Sequence, residues 1–386
     1  MVAEVFADAV REAERLIAEA PHARTETDHR EGLDYLAGLI RASIGSAWSH
    51  DPQFPYFIRS ATPYTKVGLD NPDTLYFSAR ISGDAEYVVT GRRGTTADLS
   101  FQVLGGDYTP SGAPASQAAF DDRDLDVAAD GRFTVRLGPG LSGRNTVALE
   151  PTASMLLVRE VWSDWSAVPG SIRIQRADRV GAAPAPPRPQ LAAKRWAAAA
   201  RTLTGQVRTF LAFPQWYYLN LPVNTMTAPR LTPGGLATQY SSVGHYDLPP
   251  DRALIVTVPA SDAPYQGFQL GGPWYVSLDF VNHQTSLNTS QARPDPDGLL
   301  RFVVGEQDPG VANWLETTGH RRGYLQIRWQ RVSRALTAAD GPTVEQVAFT
   351  EIPARLPYAE QARVTPGEWR ARIAARQAAV GDRMLG

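Results

Sequence analysis

Apolar residues recur at helical spacing at the start, in the middle and at the end of this chain, and elsewhere fall into short runs of period two. Residues 2–20 set Phe6, Val10, Ala13 and Ile17 three or four apart, and residues 28–45 do the same with Leu33, Leu36, Ile40 and Ile44, the spacing of one buried helix face. Pro21 and the polar residues after it separate the two, predicting an αα-hairpin over 1–50. From 51 to 175 alternation takes over, as in Leu99, Phe101, Val103 and in Phe133, Val135, Leu137, with Gly, Asp and Ser clusters between the runs. This predicts an antiparallel β domain with tight turns at Ser82–Asp84 and Gly91–Gly94. A Pro/Ala-rich stretch at 176–190 opens a connecting segment, 176–235, whose helix over 191–213 is expected to end at Pro214. A second β domain is expected over 236–352, with strands Ala253–Val258, Leu299–Val304 and Tyr324–Trp329. The tail, 353–386, carries a helix from Pro366 to Val380. The fold class is α+β, mostly β: two antiparallel β-sandwich domains with an amino-terminal αα-hairpin and an interdomain helix.

Several long motifs carry a family likeness. They are FQLGGPWYVSLDF at 268–280, NHQTSLN at 282–288, DPGVANWLETTGHRRG at 308–323, the block DNPDTLYFSARISGDAEYVVTGRRGTTADLSFQV at 70–103, and EGLDYLAGLI at 31–40. Together they resemble the bacterial domain-of-unknown-function family twelve-fourteen, including the amino-terminal β domain of its longer members. The resemblance implies two sandwiches of jelly-roll type and carries no chemistry with it.

Composition narrows the functions. A chain of 386 residues exceeds what one hydrophobic core normally supports, so two β domains are reasonable. The formal net charge is -2 with no Lys/Arg run, which argues against nucleic acid and anionic membranes as partners. The chain has no cysteine, which removes disulfides, thiolate nucleophiles and iron–sulfur sites and fits a reducing compartment. The charged amino terminus does not read as a secretory signal and no run reaches the length of a membrane span, so a cytoplasmic protein is expected. Lys66 and Lys194 are the only lysines, and Lys66 is the better placed for a Schiff base; a surface lysine is the plainer reading.

Candidate chemistry concentrates in three places. In DNPD, Pro72 holds Asn71 out of the helical region, and Asp70 and Asp73 flank the turn as paired acid/base or metal-ligating oxygens; the alternative is a turn capping its own backbone. Tyr76 and Arg80 share a strand face with Ser78. The acceptor-rich run holds Gln269, Trp274, Ser277, Asp279, His283, Gln284, Ser286 and Asn288. If 277–283 is one strand, Ser277, Asp279 and His283 share a face, although no nucleophile elbow surrounds Ser277. His283, His320 and Asp279 form a conceivable two-histidine, one-carboxylate metal set. In the third place, two apolar runs bracket Asp308, Asn313, Trp314, Glu316, His320, Arg321 and Arg322. There Asn313–Thr317 is expected as a helical turn, His320 as a base, and Arg321 with Arg322 as a clamp for a carboxylate or phosphate. Arg159 with Glu160 or Asp164 can complete a polar pocket, and FPQWYYLNLPVN at 213–224 offers aromatic contacts with Asn220 and Asn224 as polar anchors.

Three functions stand. The first is a cofactor-independent hydrolase or lyase acting on a small organic or sugar-like molecule. Asp70, Asp73, His283 and His320 would move protons, and Asn71, Tyr76, Arg80, Gln269, Trp274, Asn288, Trp314 and Arg321 would bind substrate. The second is a metal-dependent hydrolase using His283, His320 and a carboxylate. The third is a non-catalytic carbohydrate or lipid binding protein. The expected partner is a small molecule, homo-oligomers stay open, and no cofactor is expected beyond a divalent metal.

Overall fold

The computed structural model describes residues 2–106, 114–186, 188–231 and 239–385; the expected start of the second β domain at 236 lies outside them. By contacts the chain divides into two units. The first comprises Met1–Val67, Leu75–Glu160 and Val168–Ala212, the second Gly68–Thr74, Val161–Ala167 and Phe213–Gly386. Short segments of the first half are thus built into the second unit.

The first unit opens with α1 (Glu4–Ala18) and α2 (Glu26–Ser49). Thr25 and Asp28 form a capping box that starts α2 by satisfying backbone N–H groups the helix leaves open. The buried face of α2 is Gly32, Tyr35, Leu36, Leu39 and Ser43; Leu33 is 53% exposed. This corrects the expected stripe, because Gly32 and Ser43 contribute to a buried face that a search for large apolar residues does not see. Strands β1 (Ile58–Ala61), β2 (Thr74–Arg80), β3 (Tyr87–Arg92), β4 (Asp98–Gly105), β5 (Ala115–Asp121), β6 (Arg132–Gly138), β7 (Thr146–Ala148), β8 (Ala153–Val161) and β9 (Ser171–Arg176) follow. They form two sheets, ordered β1-β2-β8-β4-β5 and β7-β6-β3-β9, and both contribute to one core that includes Leu99, Phe101, Val103, Phe133, Val135 and Leu137. The alternation read from the sequence therefore points its apolar members inward. The turn expected at Gly91–Gly94 begins later: Gly91 pairs with Phe133 and Ile172 inside β3. Any Cβ there would fall 2.4 Å from the Phe133 ring.

Helix α3 runs Gln190–Tyr217, past the predicted stop at Pro214. Proline removes its own donor and crowds the carbonyl one turn back, but so close to the end of the helix little is left to break, and its own carbonyl accepts from the Tyr218 and Leu219 N–H groups at 2.9 Å each. In the second unit come β10 (Thr225–Met226), β11 (Arg230–Leu231), β12 (Gln239–Asp247), β13 (Arg252–Pro259), β14 (Tyr265–Gly271), β15 (Ser286–Asn288), β16 (Leu299–Gly305), β17 (Trp314–Glu316), β18 (Arg322–Gln330) and β19 (Thr343–Ala348). They are followed by α4 (Ile352–Arg355), α5 (Ala359–Ala362), α6 (Pro366–Val380) and a π-helical turn, Gly381–Leu385. The sheets are β10-β12-β18-β14-β15, with β11 beside β12, and β17-β16-β13-β19. They share a core of Leu254, Val256, Phe268, Leu270, Phe302, Leu325, Ile327 and Trp329 among others. Each unit is thus a two-sheet sandwich, and the chain is β-rich α+β. The expected helical turn at Asn313–Thr317 is instead the short strand β17, parallel to β16 with Trp314 opposite Val303.

Strand β18 decides the site. It lies between β12 and β14, and every residue from Gly323 to Gln330 is buried. Leu325, Ile327 and Trp329 enter the sandwich core; the alternate positions Gln326, Arg328 and Gln330 therefore line the opposite face of the same sheet, and that face is closed to water as well.

Candidate functional site

The second face of the β18 sheet carries a polar network. Cross-strand pairing sets Gly267 beside both Arg328 and Asn288, and Gln269 beside Gln326 and Ser286. The Gly68–Thr74 segment lies against these residues. Asp70 accepts from the Ser277 backbone N–H at 3.0 Å and from its hydroxyl at 2.8 Å. Gln269 Nε2 donates to the Asp70 carbonyl at 3.0 Å, and Arg328 donates to the Gln269 side-chain oxygen and, at 2.7 Å, to the Leu69 carbonyl. Asp73, 2% exposed, accepts on Oδ1 from Trp165 Nε1 at 2.6 Å and Asn288 Nδ2 at 3.0 Å. On Oδ2 it accepts from the Tyr265 hydroxyl at 2.9 Å, which in turn accepts from Asn71 Nδ2 at 2.9 Å. Burial, then the Asp73 charge, holds the Tyr265 hydroxyl well above its ordinary pKa, so it stays a donor. Gly267 makes room: a Cβ there would sit 2.2 Å from the Tyr265 hydroxyl oxygen.

The carboxy-terminal helix closes the network. Arg376 lies 4.8 Å above the Trp165 ring and donates to the Phe280 carbonyl and Ser286 hydroxyl at 3.2 and 3.1 Å. Arg383, on the π turn, lies 4.5 Å from the same ring and donates to the Pro72 carbonyl at 2.8 Å. Burial lowers both guanidiniums to about 10 while Asp73 opposes the shift, so both stay charged at neutral pH. Leu69 and Tyr275 hold left-handed φ of 50° and 55° and are joined by a 2.6 Å backbone bond. Such strain persists only where the surroundings impose it.

The remaining expected site residues disperse. Residues 277–283 are not a strand. Asp279 closes a turn, accepting from the Val281 and Asn282 N–H groups at 3.0 Å each, so the shared face of Ser277, Asp279 and His283 does not form. His283 Nδ1–H donates to Glu316 Oε2 at 2.8 Å, with its side chain 41% exposed. His320, expected as a base, is buried, its Nδ1–H donating to the Thr317 carbonyl at 3.0 Å. Among the described residues no group of three or more His, Asp or Glu is placed to hold a metal ion. His283, His320 and Asp279 have separate partners. Trp274 is buried, and Trp314 is core, donating to the Gly305 carbonyl at 2.8 Å and stacking on Trp369 at 5.0 Å. Arg321, expected in a clamp with Arg322, pairs with Asp247 at 2.6 Å on the surface. Tyr76 and Arg80 lie on β2 of the first unit, where Ser78 meets His50 Nε2 at 3.2 Å. In the first unit Arg159 donates to Gln102, while Glu160 accepts from Thr96 and Gly170; Asp164 accepts from Ser166.

The second unit also holds a cavity of about 350 Å³, bounded by the 292–296 loop, the Val311–Asn313 connection and the α4–α5 segment. Val311, Ala312 and Leu356 give it an apolar floor, and Pro294 and Pro296 stiffen one wall. Asn313 clamps that wall, accepting from the Arg293 N–H at 2.8 Å and donating to the Arg293 carbonyl at 2.7 Å. Arg301 is held by Asp295 at 2.6 Å and Asp297 at 2.7 Å and lies 5.8 Å from the Tyr358 ring. Sequence reasoning missed Arg293, Arg301 and Tyr358. The one signal was PDPDG at 294–298, a proline-stiffened turn before a strand.

A solved structure of an uncharacterised protein from Burkholderia cenocepacia superposes with a TM-score of 0.80 at 30% identity, over 89% of this chain and 96% of that one. The chain belongs to that protein's family. A Vibrio parahaemolyticus protein aligns over 90% of this chain and 100% of its own at 11% identity and a TM-score of 0.45. No family model matches the chain, and no curated protein matches it. Among the described residues no helix is long and apolar enough to cross a membrane.

Proposed function

We propose that this protein binds a small organic molecule in the cavity between the 292–296 loop, the Val311–Asn313 connection and the α4–α5 segment. The observation that carries the reading is a concave, partly apolar space of about 350 Å³ with a few convergent polar groups, the usual anatomy of a ligand site. Asp70 and Asp73, the carboxylates that best suited acid/base work in the sequence, are buried and filled by protein donors. They support a structural clasp in place of catalysis. The test is a thermal-shift and calorimetric screen of small organic ligands against the natural chain and Ala362→Phe, which fills the cavity. Ligands that bind the first and not the second support the reading; ligands that bind both equally reject it.

A second reading, an acid/base hydrolase or lyase, rests on the His283–Glu316 pair, in which a carboxylate orients a half-exposed imidazole as it would a general base. Incubating any ligand found above and following product formation separates the two, since a His283→Ala variant would lose turnover only under this second reading. The jelly-roll connectivity of the sandwiches and membership of the domain-of-unknown-function family twelve-fourteen belong to the same proposal. They are supported by two sheets around one apolar core in each unit and by the motifs quoted at the outset.

A further inference from the structure

We propose that the ligand of this cavity is a small monocarboxylate with an apolar or aromatic body, anchored by the Arg293 guanidinium; the inference rests on the cavity being the ligand site. The argument is one of unmatched donors. Of the two arginines at the cavity, Arg301 is satisfied by two carboxylates, with Asp297 engaging both of its terminal nitrogens. Arg293 forms no ion pair among the described residues, and the one bond recorded for its guanidinium is a long one, Nη1 to the Arg363 carbonyl at 3.3 Å. The nearby acid whose charge interacts with Arg293, Glu368, is occupied as a helix cap, accepting from the Thr365 N–H and hydroxyl at 2.7 and 2.9 Å. The cavity lining therefore includes a planar fork of N–H donors with no carboxylate paired to it among the described residues.

The shape of that fork selects the ligand. A guanidinium meets a carboxylate with two parallel hydrogen bonds, and the Asn313 clamp on the Arg293 backbone fixes where the side chain begins. A dianionic phosphate is less suited. Of the two cavity arginines, only Arg293 lacks an ion pair among the described residues, and Asp295 lines the same space. The floor of Val311, Ala312 and Leu356 and the Tyr358 ring favour an apolar or aromatic body. At about 30 Å³ for each water-sized group, the space takes on the order of a dozen non-hydrogen atoms, the size of an aryl or medium-chain aliphatic acid.

The experiment is isothermal titration of the intact chain at low ionic strength with three matched series: benzoate and hexanoate, their neutral amides, and the corresponding amines. The expected result is that the acids bind at least tenfold more tightly than the amides and that Arg293→Gln, a change at an exposed side chain, removes the difference without moving the melting temperature. Amides or amines that bind as tightly as the acids, or a preference for acids that survives in Arg293→Gln, overturn the carboxylate assignment while leaving the cavity as the ligand site. Binding of all three series unchanged in Ala362→Phe, or of none to the natural chain, overturns the cavity reading itself. Should Ala362→Phe fail to fold, Tyr358→Ala, at a half-buried rim position, replaces it in the same comparison.

Discussion

Asp73→Asn tests whether the DNPD motif clasps the second unit through charge. The substitution keeps the side-chain shape and every hydrogen bond is replaceable. The amide oxygen takes the Trp165 and Asn288 donors, and the amide nitrogen faces Tyr265, whose hydroxyl then donates to Asn71 Oδ1, 3.1 Å away. What is lost is the charge that faces two buried cations, Arg376 and Arg383, which are 5% and 7% exposed. Removing one side of a buried charged cluster costs about 3–5 kcal/mol. At about 2–4 °C per kcal/mol for a unit of this size, the melting temperature of the second unit falls by roughly 6–20 °C. Scanning calorimetry with urea denaturation as a second probe measures it. In the Asp73→Asn background, Arg383→Met restores part of the loss, because it removes a buried cation whose Nε and Nη1 have no hydrogen-bond partner among the described residues. An Asp73→Asn protein melting within about 2 °C of the natural chain refutes the reasoning, as does an Arg383→Met change that adds its own cost in full.

Burial, and secondarily Arg80, lowers His50 in the first unit to about 4. The unfolded chain, with an ordinary value of about 6.5, then takes up the proton first, so stability is whole above about pH 6.5 and is lost as pH falls toward 4, by about 3 kcal/mol. Melting curves recorded between those limits should therefore drop more steeply for the natural chain than for His50→Asn, and parallel curves would contradict the assignment. Gly267→Ala should cost at least about 2 kcal/mol, since the new methyl must displace the Tyr265 hydroxyl from a well-packed site. A denaturation midpoint unchanged from the natural chain would show that the network tolerates the shift. On α2, Leu39→Ala should cost about 2–5 kcal/mol and Leu33→Ala no more than about 0.5 kcal/mol, as read by urea titration; the reverse order would restore the stripe read from the sequence.

Much of the fold was legible. Strands over 253–258, 299–304 and 324–329 and the helix from Pro366 to Val380 were read from period and punctuation alone, because a half-buried strand or a capped helix writes its environment into local sequence. The polar site was legible in part. Asp70, Asn71, Asp73, Gln269 and Asn288 were all singled out and all belong to one network. Their partners Tyr265, Arg328, Arg376 and Arg383 were not, because they come from strands and a helix far along the chain whose polar residues look solvent-facing when read locally. The partners of the histidines were not legible either: the fold gives Glu316 to His283 and the Thr317 carbonyl to His320.

By itself the sequence determined most of the long helices and strands, that there are two β-rich halves, and that cysteine chemistry is absent. Those properties depend on neighbours within a few residues and on composition, and period reports them directly. Only the tertiary structure decided that Gly68–Thr74 and Val161–Ala167 belong to the second unit and that both faces of β18 are buried. It alone decided that two arginines of the carboxy-terminal helix and turn face Asp73. Burial of a polar side chain depends on what covers it, and here the cover comes from 68–74 and 376–383, segments about 300 residues apart in sequence, a separation that no local period encodes.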